Sequence, residues 1–346
     1  MDNIHTLTEL LSNSGCQYQI FDLGRRIIQI DNADFVRVEQ GQQAYPYPVQ
    51  RQAQLAISYW NETRQPWIWF LKFDLDERGL LKQSDIGNFL KYVMEAMGSH
   101  LNQEMSDEQQ EKLASNPYTF KPAEDKLAMF HSQIRAHLDL PVSQYYSHAE
   151  QYFSGTLGWE NWQTVGLQGI TDLCARIQKQ PTSVMLKKAM RQLPTQPLYV
   201  LLGALEHCSL PNRVAETVAD MAHEQINATQ PDIFLLSALC RALSDADEKY
   251  ANPVLSAILA SAKLSHQEVL IGIAGRSWQF LTDPAHAEQF LIRLAETNNQ
   301  ALFNQLFADL VMLPELRIVL LPLLHSSPTP ALAHALEKLQ QSAKNQ

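Results

Sequence analysis

Four segments of the C-terminal half decide the fold: LQGITDLC at 167–174, LLGALEHC at 201–208, LLSALCRA at 235–242 and LIGIAGRS at 270–277. Their leading leucines recur at spacings of 34, 34 and 35 residues, and a small residue stands two positions after each leucine. This repeat length is typical of stacked helix pairs, whose backbones approach closely at small residues. The sequence therefore predicts a HEAT-like α-helical repeat domain over residues 161–346, with about five helix pairs.

Residues 1–100 follow a different pattern and predict a small α+β domain with an antiparallel sheet. Leu55, Ile57 and Tyr59 alternate with smaller side chains, as in a strand with one buried face. Residues 67–71, WIWFL, are apolar on both faces, which predicts a central strand. From Ile86 onward the apolar residues follow helical spacing, so a helix is expected to cover the sheet. The whole chain is then mostly α.

Residues 101–160 predict a helical connector between the two domains. Ser106 and Gln109 have the spacing of a capping box at the start of a short polar helix. A second helix is expected over 123–138, because Pro141 follows it. A dense aromatic group comes next, and it predicts either a domain seam or an exposed binding surface. Its members are Tyr145, Tyr146, Tyr152, Phe153, Trp159 and Trp162.

Composition, charge and cysteine spacing limit the classes of binding partner and the compartment that we expect for this protein. The 346 residues carry a net charge of −10 and no long basic run, which excludes the broad phosphate-binding surface that DNA requires. Neither a signal peptide nor a run of about 20 apolar residues is found, so we expect a cytoplasmic protein without a membrane partner. The cysteines lie far apart without a CxxC pair, which predicts reduced thiols rather than disulfides or zinc ligands. They are Cys16, Cys174, Cys208 and Cys240.

Motifs for catalysis and cofactor binding are missing from the sequence. It contains no GxGxxG, P-loop or HExxH pattern, so we predict neither a cofactor nor a catalytic residue of these classes. Residues 74–79, DLDERG, resemble a calcium loop, with Asp85 at the twelfth place. Arg78 occupies a ligand position, however, and the preceding segment predicts a strand. The expected structure is a strand-to-helix turn.

Histidine spacing does not favour a metal site. His131 and His137 are six residues apart on one predicted helix, which places them on opposite sides. His100 and Glu104 have i, i+4 spacing, but a lone pair of this kind is typical of a solvated helix face. We therefore predict no bound metal.

One local cluster of basic residues departs from the acidic average. It contains Arg176, Lys179, Lys187, Lys188 and Arg191, with Asp172 as the nearby acid. The predicted partner-binding residues are Lys187, Lys188 and Arg191 together with Tyr145, Tyr152 and Trp159. Basic and aromatic side chains together suit an acidic peptide, while single-stranded RNA is the less favoured ligand. The alternative is an ordinary solvated helix face beside a packed domain seam.

The chain resembles an uncharacterised bacterial family of similar length that carries a domain of unknown function. The resemblance lies in the turn from Phe73 to Gly79, the loop Asn116-Pro117-Tyr118 and the helical C-terminal half. It implies a bacterial cytoplasmic protein and transfers no catalytic residue.

Two functional hypotheses follow from the sequence. The first is a non-enzymatic adaptor that binds an as yet unidentified protein through its helical repeat. The second is an enzyme with a site at the domain seam, built from dispersed residues such as His131, His148 or Asp125. RNA binding through the basic first repeat is a third, weaker alternative.

Overall fold

The computed structural model of the chain describes residues 4–97, 101, 106–324 and 329–344. The chain forms two compact units, Met1–Ala123 with Met312–Pro314 and Glu124–Val311 with Glu315–Gln346. A small antiparallel sheet lies at the N-terminus, and helices follow it. The predicted mostly α fold class is thereby confirmed.

Among its described residues, the first unit contains four strands and four helices. The strands are β1 (Gln17–Asp22), β2 (Ile28–Ile30), β3 (Gln52–Trp60) and β4 (Trp67–Asp74). The helices are α1 (Leu7–Asn13), α2 (Asn32–Glu39), α3 (Gln83–Met97) and α4 (Asp107–Ala114). The capping box predicted for α4 is present: Ser106 Oγ accepts a hydrogen bond from the Gln109 backbone, and Gln109 Oε1 accepts one from the Ser106 backbone.

The sheet has the order β2-β1-β3-β4, and every neighbouring pair is antiparallel. The prediction that residues 67–71 form a central strand is wrong, because β4 lies at an edge of the sheet. The chain covers that edge itself: the Lys72 N–H donates to the Tyr118 carbonyl, and the Phe120 N–H donates to the Phe70 carbonyl. This cover pairs main-chain groups that an edge strand would otherwise leave open to another chain.

One face of the sheet packs against helices to form the core of the first unit. Leu55, Ile57 and Tyr59 are fully buried on this face. Ala56 and Ser58, which lie between them, are fully buried too, so β3 is covered on both faces and the expectation of one buried face is wrong. Trp69 lies beside Tyr59, with ring centroids 4.8 Å apart, and meets Phe89 of α3 edge-on at 5.7 Å. The predicted helix from Ile86 onward therefore covers the sheet.

A tight turn connects β4 to α3. Asp76 Oδ1 accepts hydrogen bonds from the backbones of Arg78 and Leu80, at 2.8 and 2.9 Å, and Asp76 Oδ2 pairs with the Arg78 guanidinium. Gly79 takes a φ of +83°, which favours glycine. The carboxylate of Asp76 thus holds the loop closed, and the predicted strand-to-helix turn is confirmed.

The second unit contains thirteen α-helices among its described residues. They are α5 (Glu124–His137), α6 (Tyr146–Phe153), α7 (Leu167–Cys174), α8 (Gln180–Ala189), α9 (Thr195–Leu205), α10 (Asn212–Asn227), α11 (Ile233–Ala242), α12 (Glu248–Ala260), α13 (Gln267–Arg276), α14 (Pro284–Glu296), α15 (Gln300–Met312), α16 (Pro314–Leu323) and α17 (Pro330–Lys344). Short 3₁₀-helices span Trp159–Thr164 and Trp278–Thr282.

The helices of the second unit pack in two rows. Helices α5, α7, α9, α11 and α13 contact one another in succession, and so do α6, α8, α10, α12 and α14. Helix pairs such as α10 with α11 and α13 with α14 join the rows. These ten helices therefore pack mainly against near neighbours in sequence.

Contacts near one repeat length connect these helices. Cys208 Sγ lies 3.6 Å from the carbonyl oxygen of Cys174, 34 residues earlier, and Ser237 Oγ donates to the Glu268 carbonyl at 3.2 Å. A Cβ added at Gly169 would meet the Tyr145 carbonyl at 2.7 Å, so this glycine permits close packing. A Cβ added at Gly203 would meet no atom within 4 Å, so the packing role expected of the small residues does not extend to this glycine.

Candidate functional site

The predicted basic and aromatic residues lie around a groove of the second unit, which we call the basic groove. Lys187, Lys188 and Arg191 line it together with Trp159. The groove has a volume of about 650 Å³, and its other lining residues are Phe153, Ser154, Pro181, Val184, Met185, Gln192 and Thr217. Helix α8 supplies both lysines and most of the apolar residues, because one face of this helix carries the basic side chains and the adjoining face packs inward.

Two of the three cations are already paired with acids on α10. Lys187 Nζ lies 3.5 Å from Glu216 Oε2, and Arg191 Nη1 lies 2.8 Å from Glu224 Oε1. Both pairs are exposed, with about half of each side chain accessible. Lys188 is exposed and has no ion pair among the residues that the structure describes. Within the described part of the chain, the groove therefore presents one cation without an ion pair and two weakly paired ones.

Trp159 is held in the groove by a buried tyrosine. Tyr152 is fully buried, and its hydroxyl donates a hydrogen bond to the Trp159 carbonyl at 3.0 Å. The two rings meet edge-on, with centroids 5.8 Å apart. Burial raises the pKa of Tyr152, and the nearby Glu160 carboxylate raises it further, so the phenol stays protonated and remains a donor. Tyr152 positions Trp159 and has no exposed surface for a partner.

Tyr145 is about half exposed and is not among the residues that line the basic groove. Its carbonyl lies against Gly169 of α7. Arg176, part of the basic cluster in the sequence, is buried and forms an ion pair of 3.5 Å with buried Asp172. The structure thus brings four of the six predicted residues to the groove and places one beneath it.

A second concave site lies on the other row of helices. It has a volume of about 470 Å³ and is lined by α7, α9, the first turn of α5 and the 3₁₀-helix. Trp162, Tyr199 and Val200 supply apolar and aromatic walls, Asp125 supplies a carboxylate, and Gly203 leaves the surface of α9 open. We call this site the apolar cavity.

The candidate enzyme residues differ in their surroundings. Asp125 lines the apolar cavity. His148 is exposed, and its Nε2 lies 2.9 Å from the Thr164 hydroxyl. Burial lowers the pKa of His131, and the Arg135 guanidinium lowers it further, so His131 is neutral at pH 7. Of the three, Asp125 is the one that the structure places at the apolar cavity or the basic groove.

The described residues contain neither a cluster of metal ligands nor a helix that could cross a membrane. Among them, no group of three or more His, Cys, Asp or Glu side chains is placed to hold a metal ion. His100 and Glu104 lie outside the described residues. No described helix has both the length and the apolar character needed to cross a bilayer.

A family model described as a protein of unknown function, DUF3549, matches residues 2–340. The chain belongs to the DUF3549 family. The resemblance to a family of unknown function, inferred from short motifs, is thereby confirmed. No curated protein and no solved structure gives a significant match to the chain.

Sequence reasoning missed two features of this DUF3549 chain. The first is the pairing of the basic residues with acids. Glu216 lies 29 residues after Lys187 and Glu224 lies 33 residues after Arg191, which is too far for patterns of neighbouring residues to reveal but close to the 34-residue spacing of the leucines. The apolar cavity was not foreseen. A glycine in a helix interior costs about 0.5–1 kcal/mol relative to alanine, but Gly87 and Gly275 also lie in helices with open space at the Cβ position, so Gly203 does not by itself mark a cavity.

Proposed function

We propose that this chain is a non-enzymatic interaction protein, whose basic groove binds an acidic segment of another protein. The observation that carries the proposal is the convergence of Lys187, Lys188 and Arg191 with Trp159 on one groove, in a chain of net charge −10. We further propose that the stacked helices act as a HEAT-like repeat. Such a repeat leaves an extended face open to a partner, because each unit contacts only its neighbours.

The charges of the groove favour carboxylates as ligands. Lys188 has no ion pair among the described residues, so a partner carboxylate meets a cation that is already free. The pairs of Lys187 with Glu216 and Arg191 with Glu224 are exposed, and exposed pairs contribute about 0–1 kcal/mol. Replacing α10 carboxylates by those of a partner therefore costs little free energy.

The apolar part of the groove favours a protein partner over a nucleic acid. Trp159, Val184 and Met185 are each half-buried and line the groove, where they offer apolar surface for a side chain of the partner. Aromatic and arginine side chains carry much of the energy of protein interfaces, and methionine adapts its shape to different partners. Three cations on a chain of net charge −10 attract a polyanion such as RNA only weakly. They are enough to pair with the few carboxylates of a short acidic peptide.

The cysteines and the family resemblance support a bacterial cytoplasmic setting for this function. Cys174, Cys208 and Cys240 are buried free thiols, as is Cys16. Free thiols are typical of a reducing compartment. We propose this compartment for the interaction.

The direct test is binding of a synthetic acidic peptide to the full chain. The probe is a fluorescein-labelled twelve-residue peptide of alternating glutamate and leucine with one central tryptophan, followed by fluorescence anisotropy. The same peptide with glutamine in place of glutamate is the uncharged control probe. We expect the acidic probe to bind more tightly, and its affinity to fall as salt is raised, because the attraction is between exposed charges.

Charge-reversal variants locate the binding site. Lys187→Glu with Lys188→Glu should weaken binding of the acidic probe by about tenfold or more. Lys179→Glu with Lys338→Glu makes the same change in net charge at exposed positions that do not line the basic groove, so it should change binding by less than about twofold. Equal loss in both double variants would show a general charge effect, and unchanged binding in the groove variant would overturn the proposal.

A further inference from the structure

The apolar cavity shares no lining residue with the basic groove. Its walls include Ile170, Val200, Trp162 and Tyr199, and its volume of about 470 Å³ falls in the range of small-molecule sites. Val200 is more than one-third exposed although it is apolar. An apolar ligand that packs against these walls is removed from water, and this burial favours binding.

The charge in this cavity is a single carboxylate. Asp125 is the one acidic or basic residue in the lining; it is exposed and has no ion pair among the described residues. Its Oδ1 accepts a hydrogen bond from the Lys126 backbone at 2.8 Å. Burial raises the pKa of Tyr199, and the Asp232 carboxylate raises it further, so this phenol is neutral at pH 7. The cavity is complementary to one positive charge.

Aromatic rings strengthen this complementarity. Trp162 and Tyr199 line the same cavity as Asp125, and the face of an indole or phenol ring attracts an organic cation by about 0.5–2 kcal/mol. An inorganic ion gains nothing from the apolar walls, and an anion is repelled by the carboxylate. An amphipathic organic cation can contact the apolar and aromatic walls with its body and the Asp125 carboxylate with its charge.

Gly203 keeps the space that such a ligand needs. It lies inside α9 and lines the cavity, and a Cβ at this position would meet no atom within 4 Å. Its lack of a side chain is therefore not required for packing, although it lowers the stability of the helix. We expect a large side chain at 203 to reach into the cavity, because its first carbon meets no neighbouring atom.

We propose that the apolar cavity binds a small organic cation, with its apolar body among Trp162, Tyr199 and Val200 and its ammonium or guanidinium group facing Asp125. This site is independent of the groove proposed for the protein partner. Loss of one binding activity is therefore expected to leave the other unchanged.

The test uses three probes of similar shape and different charge: 4-phenylbutylammonium, 4-phenylbutanol and 4-phenylbutanoate. Ligand-observed NMR with the full chain measures their affinities. We expect the ammonium probe to bind at least about fivefold more tightly than the alcohol, and the carboxylate to bind most weakly. Equal affinity for the three probes, or no binding of the ammonium probe, would overturn the proposal.

Two variants place the probe in the cavity. Gly203→Leu should fill the site and weaken binding of the ammonium probe by about tenfold or more, while the helix is kept or stabilised. Gly87→Leu is the matched control, because Gly87 also lies inside a helix with open space at its Cβ position but does not line the cavity. Asp125→Asn should remove the preference for the ammonium probe over the alcohol.

The outcomes separate the two proposals. Full binding of the ammonium probe by Gly203→Leu would contradict the cavity site, whatever the behaviour of the basic groove. Gly203→Leu is expected to bind the acidic peptide as the parent chain does. Lys187→Glu with Lys188→Glu is expected to bind the ammonium probe as the parent chain does.

Discussion

Arg276 at the end of α13 donates its Nε–H to Glu206 Oε1 at 2.8 Å, across 70 residues of sequence. Glu206 lies just after α9 and is largely buried, and Arg241 of α11 approaches its other carboxylate oxygen at 3.6 Å. One carboxylate thus connects the ends of three helices that succeed one another in the same row. This arrangement stabilises the row by charge as well as by apolar packing.

Removing Arg276 should therefore destabilise the protein. We expect Arg276→Ala to lower the free energy of unfolding by about 1–3 kcal/mol, because a largely buried carboxylate loses its closest charged donor. Urea denaturation followed by circular dichroism measures this change. Arg191→Ala is the matched control, since Arg191 also pairs with a glutamate at 2.8 Å but at an exposed position. Its expected cost is at most about 1 kcal/mol, and equal losses in both variants would contradict the role assigned to Glu206.

Two leucines at matching repeat positions should differ in their contribution to stability. Leu201 is fully buried, whereas Leu235 is half-buried and its neighbour Leu236 is fully buried, so these matching positions are not equally buried. We expect Leu201→Ala to cost about 2–5 kcal/mol and Leu235→Ala about 1 kcal/mol in the free energy of unfolding. Urea denaturation measures both, and a larger loss at Leu235 would contradict the observed packing.

The buried thiols should be unreactive while the chain is folded. Burial raises the pKa values of Cys208 and Cys240 to about 12, and that of Cys174 well above its usual value. We expect these three cysteines to resist a thiol-specific disulfide reagent at pH 8 and to react fully in 6 M guanidinium, which serves as the control, because thiolates are the reacting species. Rapid labelling of any of the three in the folded chain would contradict this expectation.

The same thiols predict a loss of stability in alkali. In the unfolded chain a thiol ionises near its ordinary pKa of about 8.5, whereas in the folded chain Cys208 and Cys240 stay protonated up to about 12. The unfolded state therefore releases protons first, and the free energy of unfolding falls as pH rises above about 8.5. Cys208→Ala with Cys240→Ala should show a smaller fall between pH 8 and 10, measured by urea denaturation at each pH.

Local rules predicted the elements whose signals lie within a few residues. The capping box of Ser106 and Gln109, the alternation of Leu55, Ile57 and Tyr59 and the turn at Gly79 are all such signals. Helix α2 was missed because it is short and only a few of its residues are buried. Its last residue, Glu39, is fully buried and accepts a hydrogen bond from the Thr8 hydroxyl of α1 at 2.8 Å. That role depends on a contact 31 residues distant, which local patterns do not contain.

The candidate site, like the fold, was predictable where its residues lie close together in the sequence. Lys187, Lys188 and Arg191 form a basic cluster that local charge counting identifies, and the structure places them on one groove with Trp159. The burial of Tyr152 was not predictable from the sequence. A tyrosine has an apolar ring and a hydroxyl that can form a hydrogen bond, so this residue type occurs both in buried seams and on exposed surfaces. Prediction of the site was limited by the long sequence separation between residues that contact each other, rather than by their residue types.

Affinity purification of the tagged full chain from its native host tests the interaction role most directly. Three chains are compared by mass spectrometry of the proteins that co-purify: the parent, Lys187→Glu with Lys188→Glu, and Lys179→Glu with Lys338→Glu. We predict a protein with an acidic segment that co-purifies with the parent and the control variant and is lost from the groove variant. The thermal midpoints of the three chains should agree, because exposed charges alter stability by less than about 0.5 kcal/mol. The same set of proteins on all three chains would contradict a binding role for the basic groove.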